Sequence, residues 1–131
     1  MLKIKTKIKE SKIHGIGLFA DEFIPKGTIT WSYDADFDVG FSKETIDSLT
    51  PLQKNYFLFY CYFDKSIQKF ILCCDSQRFI NHSQKLENIL SETRMDIAAR
   101  DIQPGEELLC DYNKFDSGYW ERHGIDPQTL N

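Results

Sequence analysis

The chain opens in strict alternation, with Leu2, Ile4, Thr6 and Ile8 interleaving Lys3, Lys5, Lys7 and Lys9. A period of two marks a half-buried strand, and lysines along its solvent side suit an edge that must not pair with a second chain. Ile16-Gly17-Leu18-Phe19-Ala20 reads as a short strand entered through glycines, and Phe23-Ile24-Pro25-Lys26-Gly27 as a turn into a strand over residues 28–33. That turn has an echo. Ile102-Gln103-Pro104-Gly105 again bends the chain ahead of a β-rich run over 106–112, and ordinary β-turn chemistry accounts for both.

Helix signals are few. Thr50-Pro51-Leu52-Gln53 combines an N-cap threonine, proline at the first helical position and glutamine three residues after the cap. Residues 42–49 predict another short helical turn. The aromatic run Tyr56-Phe57-Leu58-Phe59-Tyr60 is expected to leave the helix and start a strand, with a turn at Asp64-Lys65-Ser66 and a returning strand over 70–74. Many short strands with one or two short helices predict a mostly-β α+β domain.

At 131 residues the chain fits one domain, and 41% hydrophobic with 14% aromatic content supports a real core and argues against disorder. No low-complexity linker divides it. The net charge of −4 disfavours a nucleic-acid binder, which normally presents a basic face. Residues 1–12 hold five lysines and one glutamate, so the remainder is more acidic than the total suggests and favours basic partners. The longest apolar run, residues 56–63, is too short to cross a bilayer, and the lysine-interrupted start lacks the apolar block of a signal peptide. An intracellular setting is therefore expected, cytoplasmic or nuclear, or the interior of a host if the source is a pathogen. Cys61, Cys73, Cys74 and Cys110 include no C-x-x-C pair and read as reduced thiols, with no metal site expected. A lysine-rich edge is compatible with a homodimer, though nothing in the sequence requires one.

Three clusters carry candidate chemistry: His14-Gly15-Ile16-Gly17, Arg78-Phe79-Ile80-Asn81-His82-Ser83, and Gly105-Glu106-Glu107-Leu108-Leu109-Cys110-Asp111-Tyr112. Glycines one apart let a backbone approach a ligand, yet they also make ordinary turns. Asn, His and Ser beside a strand-like Phe-Ile are rich in donors and acceptors, and equally able to satisfy a buried turn. A tyrosine at a strand end offers a phenol to a pocket, or simply amphipathic core.

Together and in this order, the clusters resemble the SET-domain lysine methyltransferases, whose markers are an N-terminal G-x-G, a central R-F-x-N-H-S and a late G-E-E-L-x-x-D-Y. The resemblance covers residues 9–115 of a single domain over 1–131, with 116–131 as a capping segment that carries no zinc-binding cysteines. It implies a SET-type β-clip of several small sheets with a C-terminal pseudoknot that brings Asn81-His82 beside Asp111-Tyr112. It also implies S-adenosyl-L-methionine as cofactor, contacted by His14, Gly15, Ile16, Gly17, Arg78, Asn81 and His82, with Tyr112 beside the transferring methyl group. Tyr33, Cys110, Tyr119 and Trp120 are expected to line the lysine channel.

The chemistry suits those residue types. A free lysine, with pKa near 10.4, is protonated at neutral pH and cannot attack. An apolar channel beside a sulfonium lowers that pKa, so no dedicated general base is expected, and Tyr112 would orient methyl and amine. Departures from the family pattern lie at Asp34-Ala35-Asp36 and at Gln84-Lys85-Leu86-Glu87-Asn88, where Asn88 takes the place of the family's final asparagine. Phe115, Tyr119 and Trp120 replace a zinc-bound cap with aromatic area. Cys110, where the family often carries a larger aromatic residue, implies a roomy channel end and more than one methylation. The expected partner is a protein with an accessible lysine, a histone tail or another basic protein, with no direct nucleic acid and no membrane. Two other readings stand beside this one: a SET-fold module that binds a basic peptide without turnover, and a thiol enzyme built on Cys110, His82 and Asp111.

Overall fold

A computed structural model describes residues 1–92 and 94–126. The alternating start pairs as an antiparallel hairpin, Thr6–Glu10 (β1) against Ile16–Ala20 (β2). Strand β1 begins later than the alternation predicts, and Leu2 touches a sheet only as a single bridge to Trp31. Its amide is taken by the Asp75 carboxylate at 2.7 Å and that of Lys3 by the Thr30 carbonyl at 2.8 Å, so this stretch is spent tying down other segments.

Ile29–Ser32 (β3) follows the first proline–glycine turn. Val39–Phe41 (β4), Cys61–Asp64 (β5) and Lys69–Leu72 (β6) form a three-stranded sheet in the order β4-β6-β5. Two helices lie between β4 and β5. Lys43–Asp47 (α1) is capped by Ser42, and Pro51–Tyr60 (α2) opens with a complete Thr50–Gln53 capping box. The aromatic run stays helical through Tyr60 instead of turning into a strand. Leu58 and Phe57 pack onto Ile46, Phe70 and Phe41, and the Phe41 and Phe57 rings meet edge to face at 4.8 Å. Burial of that face outweighs the strand preference of the aromatic residues.

Asn81–His82 (β7), Ile89–Glu92 (β8), Met95–Ala98 (β9) and Leu109–Cys110 (β10) complete a five-stranded sheet in the order β3-β9-β8-β10-β7. Here two expectations shift. Arg78 and Phe79 lie in a 3₁₀ turn, Ser76–Phe79, capped by Asp75, and pairing starts only at Asn81. The run over 106–112 is strand only at β10. Asp111 caps a short helix, Tyr112–Phe115 (α3), and Tyr119–His123 (α4) ends at Gly124 with φ of +63°. The echoed turns are themselves joined, since Ile24 and Ile102 exchange both backbone hydrogen bonds at 2.9 Å.

Leu18, Ala20, Ile24, Ile80, Ile89, Ala98, Ile102, Leu108 and Cys110 form the larger core. Asn88 is 1% exposed at its margin and splices the second and third sequence clusters. It donates to the Glu107 carbonyl at 2.8 Å and accepts from the Leu109 amide at 2.9 Å. Asn88→Ala would orphan a buried carbonyl and a buried amide, each worth about 1–3 kcal/mol. Urea titration is expected to show a loss of roughly 2–4 kcal/mol with an unchanged m-value.

Candidate active site

Two residues from each of two clusters build the centre. In parallel register Leu109 faces Asn81 and Cys110 faces His82, and the Tyr112 amide then donates to His82 Nδ1 at 3.1 Å. The Asn81 side-chain amide reaches the first cluster, donating to the His14 carbonyl at 3.0 Å and the Ile16 carbonyl at 3.1 Å. It also meets Glu107 Oε1 at 3.0 Å. One buried asparagine thus holds all three clusters at one point.

The two glycines differ in what they permit. Gly15 takes a left-handed conformation, φ of +49°, with open space around it. Gly17 is closely covered, because an added Cβ would sit 2.2 Å from Glu107 Oε1. Its missing side chain makes room for the carboxylate that meets Asn81.

Burial favours the neutral forms of His82, Tyr112 and Cys110. His82 has its pKa lowered by desolvation, which prevails over the opposing pull of the Asp111 carboxylate 3.7 Å away. Because Nδ1 accepts from Tyr112, the neutral ring carries its proton on Nε2. The Tyr112 phenol is pushed well above its ordinary pKa by burial and donates to the Ile80 carbonyl at 2.5 Å. Cys110 is fully buried and its thiol is likewise pushed far up, which removes the thiol-enzyme reading because a nucleophilic cysteine needs a depressed pKa.

Aromatic rings close over this centre. Trp120 stacks on Tyr112 at 5.7 Å and meets His82 at 4.7 Å, while Tyr119 meets Tyr112 at 4.9 Å. The cap is fastened by Asp116, which is 1% exposed, accepts from the Phe63 amide at 3.0 Å and pairs with both terminal nitrogens of Arg122. Residues 127–131 of the expected capping segment lie outside the described residues.

A cavity of about 580 Å³ opens beside Tyr112. Arg78, Cys110, Tyr112 and Tyr119 line it, together with Tyr60, Ile80 and Asp96. His14, Gly15, Ile16, Gly17, Asn81 and His82 are outside that lining, gathered next to it, with the His14 ring 6.0 Å from Phe59 on the cavity wall. Trp120 backs Tyr112 without lining the cavity, and Tyr33 is also absent from the lining, its ring lying under the Arg94 guanidinium at 5.3 Å. Glu107, Asp116 and Asp96 were not singled out by the sequence. For Asp96 a signal existed, since the alternation in β9 puts it on the same face as buried Ala98.

A family model described as SET domain matches residues 15–113. The chain belongs to the SET-domain family. Solved structures with the same fold include a humanised Polycomb Repressive Complex 2 of Chaetomium thermophilum bound to an inhibitor, at 20% identity and TM-score 0.63, covering 90% of this chain and 16% of that one. A ctPRC2 structure bound to S-adenosylmethionine matches at 21% identity and TM-score 0.65, over 92% of this chain and 16% of that one. A Plasmodium falciparum protein described as a candidate histone methyltransferase matches at 24% identity and TM-score 0.57, covering 85% of this chain and 95% of that one. This SET domain therefore spans about a sixth of the Polycomb chains but nearly all of the Plasmodium chain. A search of curated proteins finds no significant match.

The SET family takes its methyl group from S-adenosylmethionine, and the residues present fit that molecule. The Arg78 guanidinium at the cavity suits a carboxylate, the His14 and Ile16 carbonyls suit an amino group, and neutral His82 presents no cation to repel a sulfonium. Gly17→Ala is expected to cost about 1–3 kcal/mol by displacing Glu107 from Asn81. In a Glu107→Ala background the same change should cost much less, and chemical denaturation of the four proteins of this cycle measures the difference.

Proposed function

We propose that this SET domain is a protein-lysine methyltransferase that uses S-adenosyl-L-methionine. One observation carries the reading: the Asn81 amide, His82 and Tyr112 join all three clusters beside a cavity that Tyr112 itself lines. When bound, S-adenosylmethionine supplies a methyl group already activated on a sulfonium, so the protein's task is positioning and desolvation.

The side chains divide that task. His14, Gly15, Ile16 and Gly17 offer backbone, Asn81 and His82 fix the register, and Arg78 offers charge to a carboxylate. Tyr112 is the catalytic residue. A phenol that donates a hydrogen bond to the Ile80 carbonyl keeps its oxygen lone pairs for donors in the cavity, and its raised pKa keeps it from acting as a base. Tyr119 and Trp120 hold Tyr112 between rings and exclude water. The substrate class is a lysine in a basic sequence, a histone tail among them, matched to the acidic body of the chain.

Incubation with a labelled methyl donor and a panel of histones and basic proteins tests the reading. Label is expected on lysine, with turnover down by roughly 100-fold or more in Tyr112→Phe and donor binding retained, the scale for losing one preorganised contact to a reacting centre. Donor binding without label in any substrate, Tyr112 intact, would sink the reading. Cys110 leaves more room than an aromatic residue would at the channel wall. Intact-mass analysis at exhaustive turnover is expected to show products beyond monomethyllysine, and Cys110→Phe to lower the highest state reached.

A further inference from the structure

The wall of the cavity carries an acid that the site described so far does not use. Across the five-stranded sheet, Trp31 faces Asp96 and Ser91 faces Asp96 in register, while Cys110 faces Ile89, two residues before Ser91. Residues opposite one another, and residues two apart on one strand, share a face. Trp31, Asp96, Ser91 and Cys110 thus lie in one patch, and all four line the cavity that Tyr112 lines.

Asp96 is 5% exposed, and its partners are neutral: Gln77 Nε2 donates to it at 2.5 Å, and Ser91 lies within hydrogen-bonding reach. The ionisable groups that act on it or feel its charge are also neutral: Cys110 from β10, Cys73 after β6 and Tyr62 from β5, each with its pKa raised chiefly by burial. A purely structural acid in such a place is expensive, because an amide or an apolar residue would fill the same volume without the cost of burying a charge. Two further polar atoms on this wall, Trp31 Nε1 and the Tyr62 hydroxyl, are buried with no hydrogen-bond partner among the described residues. Together with the carboxyl they make a polar patch beside the Cys73 and Cys110 thiols, in a cavity whose lining also includes the charged side chains of Asp64, Lys65, Arg78, Glu92, Arg94 and Lys114.

We propose that Asp96 is the proton acceptor of the reaction, taking from the substrate lysine the proton it must lose before its nitrogen can attack. This rests on the methyltransferase reading and replaces the expectation that no dedicated base is needed. An N–H bond of the ammonium breaks and an O–H bond forms on Asp96, directly or through one water in the cavity. The amine's lone pair then forms the new C–N bond as the sulfonium's S–C bond breaks. The proton leaves Asp96 for bulk water, one per methyl group transferred. Burial pushes the Asp96 pKa up to about 7, against the opposing effects of Ser91 and Gln77, and a base works best near the operating pH.

Three proteins test this: wild type, Asp96→Asn and Gln77→Met, each assayed for kcat against pH on a lysine peptide with saturating methyl donor. Infrared titration of the protein alone reads the carboxyl without turnover. Wild type is expected to lose activity tenfold per pH unit below about 7, because the carboxylate is needed and acid protonates it. Asp96→Asn should drop kcat by roughly 100-fold at neutral pH, abolish that limb and leave peptide KM within a few-fold, the scale for a lost general base. The infrared band of a protonated carboxyl titrating near neutrality should vanish in the same variant. Gln77→Met removes a donor that favours the carboxylate, so its acidic limb should move to higher pH. That shift would not follow from a merely structural role. Asp96→Asn turning over within threefold of wild type, or keeping the acidic limb, overturns the proposal while the methyltransferase reading stands. A wild type that methylates nothing overturns both.

Discussion

The parallel pairing of β7 with β10 is the constraint on which the rest of the structure depends. Only two residues contribute from each side, and a ladder that short has little strength of its own. It persists because its flanks are over-determined. Asn88 bonds the segment leading into β10, and the Tyr112 amide bonds His82 just beyond it. The Asn81 side chain then extends the same assembly to the β1–β2 hairpin. Each bond joins segments distant in sequence, so together they fix the geometry of the site as a by-product of closing the fold.

Burial does the electrostatic work in this centre. The His82 ring, the Tyr112 phenol and the Cys110 thiol are all held in their neutral forms for one reason, desolvation. Three neutral groups beside the centre suit a reaction in which positive charge moves from one atom to another, because none of the three pins that charge in place. Asp96, whose pKa burial raises to about 7, is able to change its charge under ordinary conditions, so a proton leaving the substrate has a destination on the cavity wall.

Local chemistry was legible in the sequence wherever one residue type has one mechanism. The Thr50–Gln53 capping box, the proline–glycine turns and the β2 strand stand where their residues predict. Motif order was legible too, and it led to the family through Asn81-His82 and Asp111-Tyr112. What the sequence hid was decided by tertiary burial. Phe57 and Leu58 stay helical because a second core waits for them, and Arg78-Phe79 curls because Asp75 caps a turn. Gly17 reads as a ligand-facing glycine, and its missing side chain also makes room for Glu107. The alternation in β9 sets Asp96 on the face of Ala98, and the strand register then places it beside Cys110.

The cap shows how a small domain can finish a site without metal-bound cysteines. Tyr112, Tyr119 and Trp120 form a continuous set of ring contacts at 4.9–5.7 Å, extending to His82. Rings in such pairs contribute beyond the area they bury, and their few rotatable bonds make them cheap to immobilise. Area alone would let short helices slide, however. Asp116 anchors the cap, its carboxylate tying the Phe63 amide on β5 to Arg122 on α4, and Trp120 Nε1 adds a bond to Asn113 at 2.8 Å. Removing only the arginine would leave a buried carboxylate without its cation, the costly half of such a pair. The cap's register over Tyr112 therefore rests on this ion pair together with the ring contacts, and the same carboxylate that seats α4 also bonds β5 on the cavity wall.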